Sequence, residues 1–283
     1  MQVNLTNTTQ KLCIIGDPVL HSKSPLLQNA MISTLGLDYI YLCQPIKSGE
    51  LQNWLQAAKL LGYAGFNATM PHKEALVPLM DELDRDAEMY RSVNTVRIKD
   101  GKVYGYNTDG RGFLASLQAQ GIDPAGMRAV VLGAGGAAKA VALKLVQAGV
   151  RSLTVCNRTA EKAELLCQFN SNVMTPAGFD PDSLRRACQG ADLLVNGTSL
   201  GMAGAGGQFG DFSFLDALPD HAVVYDAIYH PAETELLARA GGRGLKAFNG
   251  LGMLLYQAVF ALEHFTDTNL DAQAMAALLK PLL

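Results

Sequence analysis

Six residues, Gly133-Ala134-Gly135-Gly136-Ala137-Ala138, constrain this chain more than any others. They follow a short apolar run, Arg128 to Leu132, and precede a helical stretch, Lys139 to Gln147, so a G-x-G-x-x-A pattern stands where a strand turns into a helix. In that context Gly133 permits the tight turn, Gly135 lets backbone approach a pyrophosphate, and small Ala138 allows the helix to pack closely on the strand. The free N–H groups of the helix start then face the phosphates. A site for NAD carries Asp or Glu about 20 residues further on, after the second strand, to hold the ribose 2′-hydroxyl. Here the run Ser152 to Cys156 is followed by Asn157-Arg158-Thr159, with Lys162 one helical turn away. A carboxylate would repel a 2′-phosphate, whereas the Arg158 guanidinium binds one through charge-assisted hydrogen bonds. These residues therefore predict NADP(H) in preference to NAD(H).

Around the glycines the chain alternates strand and helix signals. Lys11 to Gly16, Tyr39 to Gln44 and Tyr63 to Ala68 read as strands. Ser24 to Leu35 reads as a helix with Ser24 as cap and Pro25 in the first turn, and Glu50 to Leu61 as an amphipathic helix around Trp54. Ser92 to Ile98 and Lys102 to Tyr106 flank Asp100-Gly101, the signature of a tight hairpin, so the first sheet is expected to be mixed. Asp109 to Gln120 is expected as a linking helix. Arg128 to Leu132, Ser152 to Cys156, Asp192 to Asn196, Ala222 to Ala227 and Leu245 to Phe248 are expected as strands of a doubly wound sheet. Gly-rich Ala203 to Gly210 reads as a mobile surface loop, and helices are expected from about Met253 onward.

At 283 residues the chain exceeds the rough prior of about 150 residues per domain, which predicts two domains around a cleft. The expected division is residues 1–110, completed by helices in 250–283, and residues 111–249. With 49% hydrophobic and 17% charged residues the composition is globular. A formal charge of −3 gives no electrostatic footprint for nucleic acid or an anionic membrane, which leaves a small molecule as the expected partner. The five cysteines, Cys13, Cys43, Cys156, Cys167 and Cys188, show no C-x-x-C pair or zinc-site spacing and read as reduced core residues, with no metal expected. Met1 to Gln10 has no targeting pattern and no apolar run reaches the ~18 residues of a membrane helix, so a cytoplasmic location is expected.

Ser22, Ser24, Asn67, Thr69, Lys73, Asn94 and Asp109 cluster at predicted strand ends of the first half. Each alone has an ordinary explanation as a cap, a turn residue or a solvated charge. Together they fall into strings: His21-Ser22-Lys23-Ser24-Pro25, Gly65-Phe66-Asn67-Ala68-Thr69-Met70-Pro71-His72-Lys73, Ser92-Val93-Asn94-Thr95 and Gly105-Tyr106-Asn107-Thr108-Asp109-Gly110. With Gly133 to Ala138, Asn157-Arg158-Thr159, Asn196-Gly197-Thr198-Ser199, Tyr225 to Leu237 and Asn249 to Gln257, they resemble, in order and over nearly the whole chain, the shikimate dehydrogenase family.

The resemblance implies an N-terminal mixed-sheet α/β substrate domain and a C-terminal Rossmann-type NADP domain, in a monomer or homodimer of an oxidoreductase interconverting shikimate and 3-dehydroshikimate. It implies Lys73 and Asp109 as the catalytic pair. Ser22 and Ser24 would hold the substrate carboxylate, and Thr69, Asn94 and Gln257 the ring hydroxyls and the reacting end, with Asn67 in the substrate site orienting these groups. Gly133, Ala134, Gly135, Gly136, Ala137, Asn157, Arg158, Thr159, Lys162, Thr198, Ile228, Gly250 and Met253 would contact the cofactor, though glycine at 250 equally fits simple turn geometry. A lysine is by nature the acid for ketone reduction, and how Asp109 shares the proton is left open. Two departures stand out: Arg91-Ser92 where the family has Gly-Ala, and Asn196-Gly197 where it has Asn-Ala. They leave open a paralogue acting on quinate or aminoshikimate, or a non-catalytic NADP-sensing regulator.

Overall fold

A computed structural model describes residues 5–204 and 207–283. The chain divides into two compact units, one running to Gly112 and taking up Leu255–Leu283, the other Phe113–Leu254. Chain connectivity crosses between them within two helices.

The first unit contains β1 (Gln10–Gly16), α1 (Ser24–Thr34), β2 (Tyr39–Pro45), α2 (Leu51–Leu60), β3 (Tyr63–Ala68), α3 (His72–Ala75), β4 (Glu82–Leu83), α4 (Arg85–Tyr90), β5 (Thr95–Lys99) and β6 (Lys102–Tyr106). Its sheet has the order β2-β1-β3-β5-β6-β4. β1 runs parallel to β2 and β3, β5 is antiparallel to β3 and β6, and β4 is parallel to β6, so the sheet is mixed as expected. β1 is apolar without alternation because it is covered on both faces: Leu12, Cys13 and Ile15 are fully buried. On α2, Leu51, Trp54, Leu55 and Ala58 form one buried stripe, and Trp54 meets Tyr63 and Phe66 edge-on with centroids 5.2 and 6.1 Å apart. The hairpin turn has positive φ at both Asp100 and Gly101, as its sequence requires.

Local readings needed correction in three places. Ser24 is not the cap of α1: Lys23 occupies that position, and it is the Ser22 hydroxyl that accepts a hydrogen bond, at 3.2 Å, from the Ser24 N–H. β4 and α4 escaped the sequence reading because a two-residue strand and a six-residue charged helix carry no usable periodicity. Cys43 is only half-buried, unlike the other four cysteines.

The second unit begins within α5 (Asp109–Gln118) and continues through β7 (Arg128–Leu132), α6 (Gly136–Gln147), β8 (Ser152–Cys156), α7 (Ala160–Cys167), β9 (Met174–Ala177), α8 (Pro181–Cys188), β10 (Leu193–Asn196), β11 (Val223–Asp226), α9 (Glu235–Gly242) and β12 (Lys246–Phe248). All six strands are parallel in the order β12-β11-β10-β7-β8-β9. Numbered from β7, this is the doubly wound order 3-2-1-4-5-6, with the reversal between β7 and β10. β9 was not foreseen: its four residues include Pro176, which is tolerated because the strand lies at the sheet edge. The loop expected over Ala203 to Gly210 includes residues 205 and 206, which lie outside the described residues, and Phe209 within it is buried against Phe212 and Phe214. Residues 207–210 are thus anchored by a core aromatic.

Two more helices, α10 (Leu251–Thr266) and α11 (Ala272–Leu279), end the chain. From Leu255 onward they belong to the first unit, where the Gln28 amide donates to the Ala258 carbonyl at 2.9 Å and the Arg111 guanidinium pairs with Glu263 at 2.9 Å while lying 3.6 Å over the Phe260 ring. No described helix is long and apolar enough to cross a membrane.

Candidate active site

Lys73 and Asp109 come together in the first unit, Nζ donating to Oδ2 at 2.6 Å, with side chains 26% and 11% exposed. Each is held by backbone first. Lys73 sits on the one-turn helix α3, whose position is fixed where the Val93 N–H donates to the Lys73 carbonyl at 2.8 Å. Asp109 opens α5, its N–H donating to the Asn107 side chain at 3.0 Å, and a carboxylate at a helix start is favoured by the helix dipole.

Asn94 locks the carboxylate. Its Nδ2 donates to Asp109 Oδ1 at 2.8 Å and to Thr108 Oγ1 at 3.0 Å, while its Oδ1 accepts from the Thr108 N–H at 3.0 Å. The amide orientation is not free, because a carboxylate can only accept and a backbone N–H can only donate. Asn67 lies one shell behind, donating to the Asn94 carbonyl at 3.0 Å and to Thr95 Oγ1 at 2.9 Å, and accepting from the Tyr41 hydroxyl at 2.7 Å. Both Asn67 amide hydrogens are therefore committed inside the protein. Tyr41, whose hydroxyl is pushed well above the usual tyrosine range by burial, is always a donor to this web. Every hydrogen bond from Tyr41 to Lys73 thus has a fixed direction.

The remaining polar residues of the first unit stand nearby along the chain. Thr69 follows β3, four residues before Lys73, and lies so close to the end of β1 that a Cβ on Gly16 would be 2.4 Å from its methyl group. Ser22 and Ser24 are on the loop and first turn after β1, Ser22 half-buried and Ser24 buried. Gln257 packs on α5, where a Cβ on Gly112 would be 2.8 Å from it. His72, next to Lys73, is 1% exposed and its Nε2 bonds the Ile46 carbonyl at 2.7 Å, so it is turned away from the Lys73 web.

In the second unit the glycine loop leaves β7 at the reversal of strand order. Gly133 has φ +101°, a conformation that side chains avoid, and a Cβ there would be 3.0 Å from the Thr198 methyl. Gly135 caps α6 in an extended conformation, and a Cβ on it or on Gly136 would meet no protein atom within 4 Å. Neither packing nor backbone geometry explains glycine at 135, and the open space at the helix start fits the close approach of a phosphate. A Cβ on Gly197 would be 2.6 Å from the Ala138 Cβ, which accounts for the departure from Asn-Ala at that point.

Asn157 and Thr159 are joined by a 2.8 Å bond at the end of β8, the strand beside β7, and between them Arg158 is exposed. Among the described residues Arg158 pairs with no carboxylate, and Lys162 is exposed one turn into α7. This donor set fits a 2′-phosphate. Gly250 is dictated by packing: a Cβ would be 2.0 Å from the Ala227 carbonyl oxygen, and its N–H donates to the Ile228 carbonyl at 2.9 Å. Met253 is 8% exposed on the first turn of α10, one turn before Gln257 on the same helix. The sequence reading missed Tyr41, Thr95, Asn196, Asp226 and Thr234, all buried polar residues. Their signal is a polar side chain set into or beside an apolar strand, as in Val223-Val224-Tyr225-Asp226.

Comparison with known proteins agrees along the chain. Residues 14–96 match the shikimate dehydrogenase substrate binding domain, 114–201 the shikimate/quinate 5-dehydrogenase family, and 250–280 the shikimate 5′-dehydrogenase C-terminal domain. Shikimate dehydrogenase (NADP(+)) of Alkaliphilus metalliredigens is 39% identical, the match covering 96% of this chain and 97% of that protein. Shikimate 5-dehydrogenase of Listeria monocytogenes, solved with shikimate and NAD, superposes with a TM-score of 0.89 at 30% identity over 99% of both chains. Quinate dehydrogenase of Corynebacterium glutamicum, solved with NAD, gives 0.86 at 31% identity over 96% of this chain and 99% of that one. Full-length identity to the first, matched domain by domain, means that this chain belongs to the shikimate dehydrogenase family.

Proposed function

We propose that this chain is an NADP-dependent shikimate dehydrogenase that interconverts shikimate and 3-dehydroshikimate. The observation that carries the reading is the Lys73–Asp109 contact at 2.6 Å, oriented by Asn94, in a chain of this family. Oxidation of a secondary alcohol gives up a hydride and a proton. NADP+ supplies the hydride acceptor. The proton is the protein's task, and Lys73 and Asp109 hold it: in ketone reduction the Lys73 ammonium donates to the reacting oxygen, and in alcohol oxidation the pair takes the proton back.

The first unit would bind the substrate. Ser22 and Ser24 at the start of α1 hold its carboxylate through hydroxyl and N–H donors, Thr69 and Asn94 hold ring hydroxyls, Gln257 closes on the reacting end, and Asn67 orients Asn94. The second unit would bind NADP(H), with the 133–137 loop on the pyrophosphate, Asn157, Arg158, Thr159 and Lys162 on the 2′-phosphate, and Thr198, Ile228, Gly250 and Met253 toward the nicotinamide. We place the protein in the cytoplasm as a monomer or homodimer, without nucleic acid or membrane as partner.

The test is NADPH formation by the purified protein on addition of shikimate and NADP+. Lys73→Ala is expected to lower kcat by ~10²–10⁴-fold, the usual worth of a general acid/base. Unchanged turnover in Lys73→Ala would remove the pair from the chemistry, and NADP+ binding without turnover of any cyclic hydroxy acid would favour a sensor.

A further inference from the structure

At the end of β11 the second unit buries a carboxylate that the proposed chemistry does not use. Asp226 is fully buried. Its Oδ1 accepts from Asn196 Nδ2 at 2.9 Å and from the Ile228 N–H at 3.1 Å, and its Oδ2 accepts from the Thr234 hydroxyl at 2.6 Å. Burial pushes its pKa above the usual carboxylate range, while these donors pull it back down. A carboxylate removed from water is costly unless its partners are in place, so this arrangement calls for a reason.

Capping α9 does not supply one. Thr234 caps that helix by itself, its hydroxyl accepting from the Leu237 N–H at 3.4 Å. The other two donors lead elsewhere. Asn196, on β10, stands opposite Asp226 on β11 and opposite Leu132 on β7, the last residue before the glycine loop. Because Asp226 can only accept, Asn196 must present Nδ2 to it, which leaves Oδ1 to accept from the Thr198 N–H at 3.0 Å and the Thr198 hydroxyl at 2.7 Å. Thr198 in turn places its methyl against Gly133. On the other side, the Ile228 N–H is held by Asp226 and the Ile228 carbonyl by the Gly250 N–H at 2.9 Å. One carboxylate therefore fixes both Thr198 and Ile228, which lie in the loops after two different strands.

We propose that Asp226 is a positioning residue for the cofactor's reactive end, acting through Asn196 on Thr198 and directly on the Ile228 backbone. This rests on the reading that Thr198 and Ile228 line the nicotinamide side of an NADP site. Asp226→Asn keeps the shape and can turn its Nδ2 to the Thr234 hydroxyl, which is able to accept, but it replaces the charge-assisted bonds to Asn196 and Ile228 by weaker neutral ones. It is expected to raise the NADP+ dissociation constant, measured by calorimetry without substrate, by roughly 5–20-fold, equivalent to about 1–2 kcal/mol. With shikimate deuterated at the reacting carbon, kcat is expected to fall ~10–100-fold and the isotope effect to rise, since misplaced hydride transfer becomes rate-limiting. A merely structural role would lower the folded fraction and leave the dissociation constant and isotope effect of the remaining enzyme unchanged, and that result overturns the proposal.

Should Asp226→Asn fail to fold, Thr234→Val and Thr234→Ser decide. Val removes one donor and is expected to weaken NADP+ roughly threefold or more, and Ser to restore it, whereas Val indistinguishable from the unmodified protein in both readouts contradicts the proposal. Absence of NADP+ binding by the unmodified chain would instead defeat the cofactor reading on which the inference rests.

Discussion

Around Lys73 and Asp109 the protein works with side chains: Tyr41, Asn67, Thr95, Asn94 and Thr108 bond one another in fixed directions before the reactive pair is reached. Around Gly133 it works with backbone, exposing the start of α6 where glycines 135 and 136 have no protein atom within 4 Å of where a Cβ would stand. Under the proposed function, the difference follows from the tasks. Moving a proton needs one atom held to a fraction of an ångström, which demands an over-determined hydrogen-bond web. Holding a pyrophosphate needs many weak donors and room, which a helix start and missing side chains provide. Buried polar side chains return in the second unit behind the loop, in the Asn196–Asp226–Thr234 cluster.

Substitutions that separate the two designs test this contrast. Asp109→Asn should strike chemistry alone: kcat falls by ~10²–10³-fold while the NADP+ dissociation constant from calorimetry is unchanged, the range expected when one member of an acid/base pair is lost. A parallel loss of cofactor affinity would break the comparison. Arg158→Ala should do the reverse, raising KM for NADP+ by roughly 10–100-fold, as expected for loss of charge-assisted hydrogen bonds of ~1.5–3 kcal/mol, with KM for NAD+ nearly unaffected.

His264 provides an acid test of the first unit. Its ring is stacked on Tyr106 with centroids 3.9 Å apart, and burial, then Arg111 and Arg97, hold its pKa down to about 4. The unfolded chain takes up this proton near pH 6.5, so between about 6.5 and 4 the unfolded state binds more protons than the folded one and stability falls as pH falls. The loss should reach about 3 kcal/mol at most. Urea unfolding at pH 7 and pH 4.5 should show it, and His264→Gln should flatten the pH dependence.

The glycines sharpen the contrast further. Gly133→Ala, at φ +101°, should cost the fold about 1–3 kcal/mol. Gly135→Ala should change urea stability by less than ~1 kcal/mol yet weaken NADP+ more than tenfold. Equal stability losses in the two variants would contradict the assignment of Gly135 to ligand approach. The smallest expected effect is a gain: Arg91 closes α4 at φ +47°, where glycine is unstrained, so Arg91→Gly should stabilise by about 1 kcal/mol in the same assay.

Much of this was legible in the sequence. The central strands of the second unit, β7, β10 and β11, are buried on both faces and read as nearly unbroken apolar runs. Arg128 to Leu132 and Ser152 to Cys156 were foreseen to the residue. The site strings were readable because loops at strand ends must carry polar residues in a set order. β9 was not legible, since Met-Thr-Pro-Ala has no strand signature and is held by pairing with β8 alone. Nor were Tyr41 and Asp226, because a sequence shows a polar residue in an apolar run but not whether its partners, 26 and 30 positions away, will meet it. Ser24 misled for a related reason: Ser-Pro suits a cap, yet the chain starts α1 one residue earlier.

The most direct test of the account is the initial rate of NADP+ reduction with shikimate and with quinate in parallel, compared as kcat/KM. A higher value for shikimate is the predicted result. A higher value for quinate, or negligible turnover of both, would contradict it.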